Sequence, residues 1–237
     1  MSSTHLSRKD LKTDAFAAEV QHGVEFVAAH KAALARYGLI VVAVLIAALG
    51  YYIYSNRQAT LRQQALREAR RVMTAAVGPP VAPPGLAFPT QEEKDKAVKE
   101  AYQKLANQYP GTAEAAIAML YLAAGHVDRG ELEEAAAICR QLMKQGPKPF
   151  ASTAQLTLGQ ILWSQGKTEE SKKLLQELID NPTEFVSAEQ ASLTLARLQL
   201  RSAPEEARKI LDKLREGRAA VSSVALEMLA QLPPPSN

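Results

Sequence analysis

The residues able to ligate a metal or attack a substrate are few in this chain and poorly placed for either task. Its four histidines are His5, His22, His30 and His126, and its single cysteine is Cys139. No histidine stands at the spacing of a motif such as HExxH, which puts two imidazoles on one helix face. His22 and His30 fall two turns apart on one expected helix, a spacing that a solvated helix face also produces. Cys139 occupies an apolar position of a helical pattern, whereas a reactive thiol needs exposure and positive neighbours. The acidic pairs Glu133-Glu134, Glu169-Glu170 and Glu205-Glu206 stand at expected helix starts, where carboxylates complement the positive end of the helix. There is no glycine-rich phosphate loop and no GxSxG turn. The residues point to no catalytic group, no cofactor and no metal, so the chemistry to be explained is binding.

Composition narrows what is bound. The chain has 237 residues and a net charge of +3, which gives no electrostatic case for nucleic acid. Aromatic residues make up only 5%, and Ala, Leu, Glu, Gln, Lys and Arg dominate, a composition of helices. A single cysteine excludes an intramolecular disulfide.

The element with the clearest physical meaning is Tyr37–Tyr54, YGLIVVAVLIAALGYYIY, which contains no charge. A helix of about 18 residues rises roughly 27 Å, close to the hydrocarbon thickness of a bilayer. Tyr37 at one end and Tyr51, Tyr52 and Tyr54 at the other suit the membrane interfaces, and Lys31, Arg36 and Arg57 close the span with charge. A core helix of this length would carry a polar face, and a signal peptide would begin nearer the N-terminus with a shorter apolar run. Small residues at Ala47, Ala48 and Gly50 could still imitate a cleavage site. Residues 37–54 are therefore expected to form one transmembrane helix.

Residues 1–36 form an N-terminal tail whose first dozen positions read as disordered. Asp14 can cap a helix in which Phe16, Val20, Val24 and Val27 make one apolar stripe. Such a stripe either lies in the membrane interface or docks a partner. Residues 55–90 are expected to be a helical stalk, Arg57–Val77, followed by a proline-rich linker, Gly78–Thr90.

Residues 91–237 read as helix after helix. Breaks are expected at Tyr109–Thr112, Arg129-Gly130, Gly146–Pro149, Gln165–Lys167, Asn181-Pro182, Ser202–Pro204 and Glu216-Gly217. The stretches starting at Leu120 and Leu156 superimpose with an offset of about 36 residues. Gly130 matches Gly166 at the turn, and Ala123 matches Gly159 where two helices cross. On the second helix Ala135, Cys139 and Leu142 match Ser171, Leu175 and Leu178. Pro147 and Pro182 end the two units. A third unit runs through Leu195, Ala196, Ala207, Leu211 and Leu214, and a half unit ends at Tyr102, Leu105 and Pro110. Small crossing residues and a short turn make a tight helix pair, which must stack on neighbours to bury its apolar face. The expected fold is all-α: a single N-terminal transmembrane helix followed by an α-solenoid.

These residues resemble tetratricopeptide repeats over most of Gln91–Leu232, although tryptophan is absent from its usual early place. The resemblance implies that proteins bind on the face made by the first helices. By repeat position that face comprises Ile117, Leu120, Ala124, Leu156, Gln160, Trp163, Leu193 and Arg197. Lysine and asparagine, which clamp a terminal carboxylate, are missing from these positions, so an apolar segment is the expected guest. The leucines could equally pack between first helices. Trp163 is the expected anchor, since tryptophan is enriched in binding hot spots.

The whole layout resembles the YfgM-like ancillary SecYEG translocon subunits of bacteria. The run GVEFVAAHKAALARYGLIVVAV, with Phe26, His30, Leu34 and Gly38 at the family's approximate spacing, carries that likeness. It implies a single-pass protein of the bacterial inner membrane with a periplasmic repeat domain. Its implied partners are translocon subunits, a periplasmic chaperone and unfolded client segments. Local charge argues for the opposite orientation. Lys31 and Arg36 precede the span, with Arg8, Lys9 and Lys12 further out, whereas Arg57, Arg62, Arg67, Arg70 and Arg71 follow it. Two other readings share the fold: a scaffold for envelope assembly or cell division, and a regulator acting through its tail while the repeats form a homodimer.

Overall fold

The computed structural model describes residues 8–79, 85–217 and 219–233, with side chains for Lys31 and for residues 35–79, 85–217 and 221–233. The chain is all-α, with helices α1 (Arg8–Met73), α2 (Gln91–Gln108), α3 (Ala113–Asp128), α4 (Leu132–Gln145), α5 (Lys148–Ser164), α6 (Thr168–Asp180), α7 (Ala188–Gln199), α8 (Pro204–Arg215) and α9 (Ala219–Ala230). Every expected break meets a gap between helices, although Lys148 and Pro149 already belong to the first turn of α5 and Pro204 to that of α8. Strands β1 (Ala76–Val77) and β2 (Ala87–Phe88) add a two-residue parallel ladder, which helical periodicity does not reveal. The apolar stripe of Phe16, Val20, Val24 and Val27, the side chains of Phe26, His30 and Leu34, and the first seven residues lie outside what is described.

Two compact units divide between Thr60 and Leu61. In the first unit, the described side chains from Ala35 to Arg57 are all exposed. The helix there is long and apolar enough to cross a membrane, and none of its most apolar window is buried. An apolar run without any covering side chains is unlike a soluble core helix.

The second unit begins at Leu61, before the proline-rich connection, where the sequence reading has a stalk. The difference has a physical cause in α1 itself. Ala69 is 2% exposed and clusters with Val98, Tyr102 and Leu105 of α2 and Ala118 of α3. Ala65, Leu66, Val72 and Met73 pack around them, and the Tyr102 hydroxyl donates to Met73 Sδ at 3.6 Å. Helix α2 has the pattern of a second helix, with Val98, Tyr102 and Leu105 matching Ala135, Cys139 and Leu142 of α4. The half unit is thus completed by the end of α1. The connection between the two helices is held near its ends by the β1–β2 ladder, where Ala76 and Gly78 donate to Leu86 and Phe88.

Local chemistry sets the helix ends. Thr90, Thr112 and Ser187 accept from the amides of Glu93, Ala115 and Gln190, capping α2, α3 and α7. The turns after α3 and α5 are identical in construction. Gly130 and Gly166 take φ of 76° and 79°. Their amides donate to Val127 and Trp163, and those of Glu131 and Lys167 donate to His126 and Leu162. This is a Schellman turn, which needs a residue in the left-handed region, and glycine enters it without the Cβ penalty. The α7–α8 turn has no glycine and no positive φ.

Packing then follows chain order. Each helix from α2 to α9 packs on the next, and the first helices α3, α5, α7 and α9 also touch in sequence. Second helices bury equivalent faces: Ala135, Cys139 and Leu142; Ser171, Leu175 and Leu178; Ala207 and Leu211. Small residues permit the crossing. A Cβ on Gly159 would lie 3.0 Å from Leu175 Cγ and Cδ2, and the buried Ser171 hydroxyl donates to the Gly159 carbonyl at 2.6 Å.

Candidate protein-interaction face

The eight residues assigned to the first-helix face divide by burial. Ala124 of α3, Gln160 of α5 and Arg197 of α7 are exposed and stand at equivalent repeat positions. Because α3, α5 and α7 touch in sequence, these three positions recur along adjacent helices. Ile117, Leu120, Trp163 and Leu193 are half-buried. Leu120 packs against the cluster of α3, α4 and α5, and Leu193 against that of α7, α8 and α9. Leu156 goes deeper, at 8% exposed, among Leu175, Leu178, Val186, Ala191 and Leu195. Its side chain seals the joint between α5, α6 and α7.

Aromatic and aliphatic side chains outside that set are more exposed. Tyr121, on α3, stacks on Tyr102 with ring centroids 4.1 Å apart and is 37% exposed. Val127 is equally exposed and holds, about 36 residues earlier, the repeat position of Trp163. The repeat register could have found Val127; nothing local distinguishes Tyr121 from a core tyrosine. Phe185, 45% exposed, meets Phe150 edge-on at 5.1 Å in the α6–α7 connection.

Polar chemistry is concentrated at the turns and is structural in form. At the α3–α4 turn, Glu131 Oε2 accepts from Arg129 Nε at 3.0 Å and lies 2.6 Å from His126 Nδ1. Hydrogen bonds from Arg129, then His126, hold the Glu131 carboxyl below its ordinary range. The Cys139 thiol is buried at the α4 core position, and burial pushes it up to about 11. A thiol so disposed stays protonated at neutral pH and is a poor nucleophile. Among the described residues no three His, Cys, Asp or Glu side chains converge as metal ligands do.

The arrangement therefore offers surface for contact: helices stacked side by side, a line of exposed positions, and half-buried apolar residues between them. Stacked repeats of this kind build extended binding surfaces. No curated protein and no solved structure matches the chain. A family model described as a tetratricopeptide repeat-like domain matches residues 31–181, a span that ends beside the last residue of α6. That match covers more than half of the sequence and agrees with the stacked helix pairs, and the chain belongs to the tetratricopeptide repeat-like domain family.

Proposed function

We propose that the protein is a membrane-anchored, non-catalytic module that holds other proteins through its repeats. The observation that carries this reading is the division of α1. Its segment from Tyr37 to Tyr54 is apolar and exposed, while its last turns pack one face, centred on the buried Ala69, against the repeat unit. Exposed apolar surface on that scale demands a covering, and a bilayer of about 30 Å matches the length. Tetratricopeptide-like domains generally bind protein partners, which supports the second half of the reading. In this proposal residues 1–36 are the tail, 37–54 the anchor, and the repeats present Gln160, Trp163 and Arg197 to an apolar client segment.

Likeness to YfgM-like translocon subunits supports a more specific role: association with the Sec translocon of a bacterial inner membrane and transfer of emerging proteins to a periplasmic chaperone. Two measurements test the proposal in turn. The protein stays in the membrane pellet through alkaline carbonate washing; release into the supernatant refutes the anchor. Leu45→Arg reduces insertion, because a charge near the bilayer centre costs about 2.5 to 3.5 kcal/mol on insertion scales. A photo-crosslinker at Gln160 then reports the neighbours. Translocon subunits and secreted chains are the expected adducts, whereas division or outer-membrane assembly proteins assign the module to envelope assembly. Protease added to spheroplasts digests the repeats if they face the periplasm. Protection would favour the opposite orientation, for which Arg57, Arg67, Arg70 and Arg71, all exposed, already argue.

A further inference from the structure

We infer that a trench between α6 and α8 docks an acidic, leucine-type apolar segment of a partner protein. Helix α7 packs on both α6 and α8 and forms the trench floor between them. Two adjoining cavities of about 510 Å³ and about 570 Å³ share Gln176, Leu195 and Ile210 and so make one depression. Its middle is apolar, with Leu195 below and Ile179, Ile210 and Leu214 on the sides.

One end of the floor holds an unsatisfied group. Gln199 is 2% exposed, and its Nε2 donates to Glu206 Oε2 at 2.8 Å. Its Oε1 has no hydrogen-bond partner among the described residues, although the side chain lines the trench. Buried acceptors are almost always satisfied, and once the side chain turns toward the trench a backbone N–H of a docked segment would satisfy this one. The repeat itself marks the feature as unusual. The equivalent position one unit earlier is Leu162, also 2% exposed, within an apolar cluster.

Charge decides what kind of segment fits. Each carboxylate along the trench has a polar partner, Lys172 being shared by two of them. Glu206 meets Lys172 at 3.6 Å, Glu169 meets Lys172 at 3.2 Å, and Asp180 accepts from Gln176 at 2.8 Å. Glu189 has a partner as well. Lys173, Lys209 and Lys213 line the same depression and have no ion pair among the described residues. Free cations above an apolar floor complement carboxylates alternating with aliphatic side chains. A nucleic acid strand would meet the lysines but would leave Leu195 and Ile210 without partners, and no aromatic stacking platform lines the trench. The trench uses the side of α7 that carries Leu195 and Gln199, away from Leu193 and Arg197, so it does not depend on the first-helix face.

The test uses the full chain in neutral detergent micelles, with empty micelles as the blank. The probe is a fluorescein-labelled, end-blocked peptide of leucine and glutamate, read by anisotropy against a leucine–lysine peptide and an oligothymidine. The acidic peptide binds, and the two controls do not. Lys209→Glu with Lys213→Glu weakens it by about tenfold or more, the scale on which opposed interfacial charges act. Gln199→Leu, which installs the residue of the neighbouring unit, weakens it by about three- to tenfold, as loss of one hydrogen bond does. Lys144→Glu, a charge reversal on the exposed side of α4 outside the trench, leaves it unchanged. The proposal is overturned if the acidic peptide fails to bind, if either control binds as well, or if either trench variant keeps full affinity while retaining its helical spectrum. Sensitivity to Trp163→Ala alone would move binding to the first-helix face and overturn it too. A positive result with no crosslink from Gln160 would leave the trench standing and remove the first-helix reading.

Discussion

The α5–α6 and α7–α8 units repeat the same plan, and they differ where a unit meets its neighbour. Both place a leucine at the same step of the first helix, Leu158 and Leu195, and both cross at a small residue, Gly159 and Ala196. In the α5–α6 unit the following turn of the helix presents Leu162, and the space fills with Ile138, Leu174 and Phe150. In the α7–α8 unit that place belongs to Gln199, and a trench remains. The lesson is that the repeat plan fixes how two helices pair more tightly than how successive pairs close on each other. Pairing needs small residues at one crossing and a short turn. Closure needs complementary volumes from three helices at once.

The largest effect that can break this comparison lies in the core. Leu158→Ala lowers stability by about 2 to 5 kcal/mol, because a well-packed site cannot collapse around the cavity. Leu195→Ala stays near the lower end, about 2 kcal/mol, since its side chain borders a depression. Urea unfolding followed by the fluorescence of the single tryptophan, Trp163, measures both. Equal losses would mean that the two seams are equally filled.

The turns give a smaller difference. Gly166→Ala costs about 1 to 2 kcal/mol, because its φ of 79° forces a side chain into the left-handed region. At the matching connection Ala203 has a φ of −146°, and Ala203→Gly costs about 1 kcal/mol or less through chain entropy alone. A neutral Gly166→Ala would refute the Schellman geometry as the source of the tight pair.

The effect that vanishes at neutral pH concerns the core position that Cys139 holds in α4, where α6 and α8 have Leu175 and Leu211. Burial raises the Cys139 thiol from an ordinary value of 9.0 to about 11. Above pH 9 the unfolded chain releases this proton while the folded chain keeps it. Stability therefore falls as pH rises from 9.0 toward 11, the direction required when the unfolded state binds fewer protons. Tyr102 and Tyr121, also raised by burial, add to the slope. Cys139→Ala removes its share, and an unchanged slope in that variant would show that the thiol is hydrated in the folded protein.

Much of the architecture was legible because it rests on local chemistry. A proline in a first turn, a glycine at positive φ or a capping threonine sets a helix boundary whatever lies nearby, which is why most breaks in the helical region are legible. The apolar run Tyr37–Tyr54 was equally plain, since its length and lack of charge can be read residue by residue. The candidate face was read less completely. Ala124, Gln160 and Arg197 are exposed, but Leu156 is sealed against α6 and α7, and Tyr121 gave no local sign of its exposure.

By itself, then, the sequence determined where helices start and stop, which residues repeat, and which segment is too apolar for water. Only the tertiary structure decided which helices become partners across a long connection. The end of α1 joins α2 although Thr74–Thr90 separates them, because Ala65, Ala69 and Val72 present a face that α2 must cover. It also decided where stacking closes and where it leaves space. Hydrogen bonds and backbone preferences act over a few residues and leave a mark in the local sequence, whereas packing sums contacts from residues far apart in the chain.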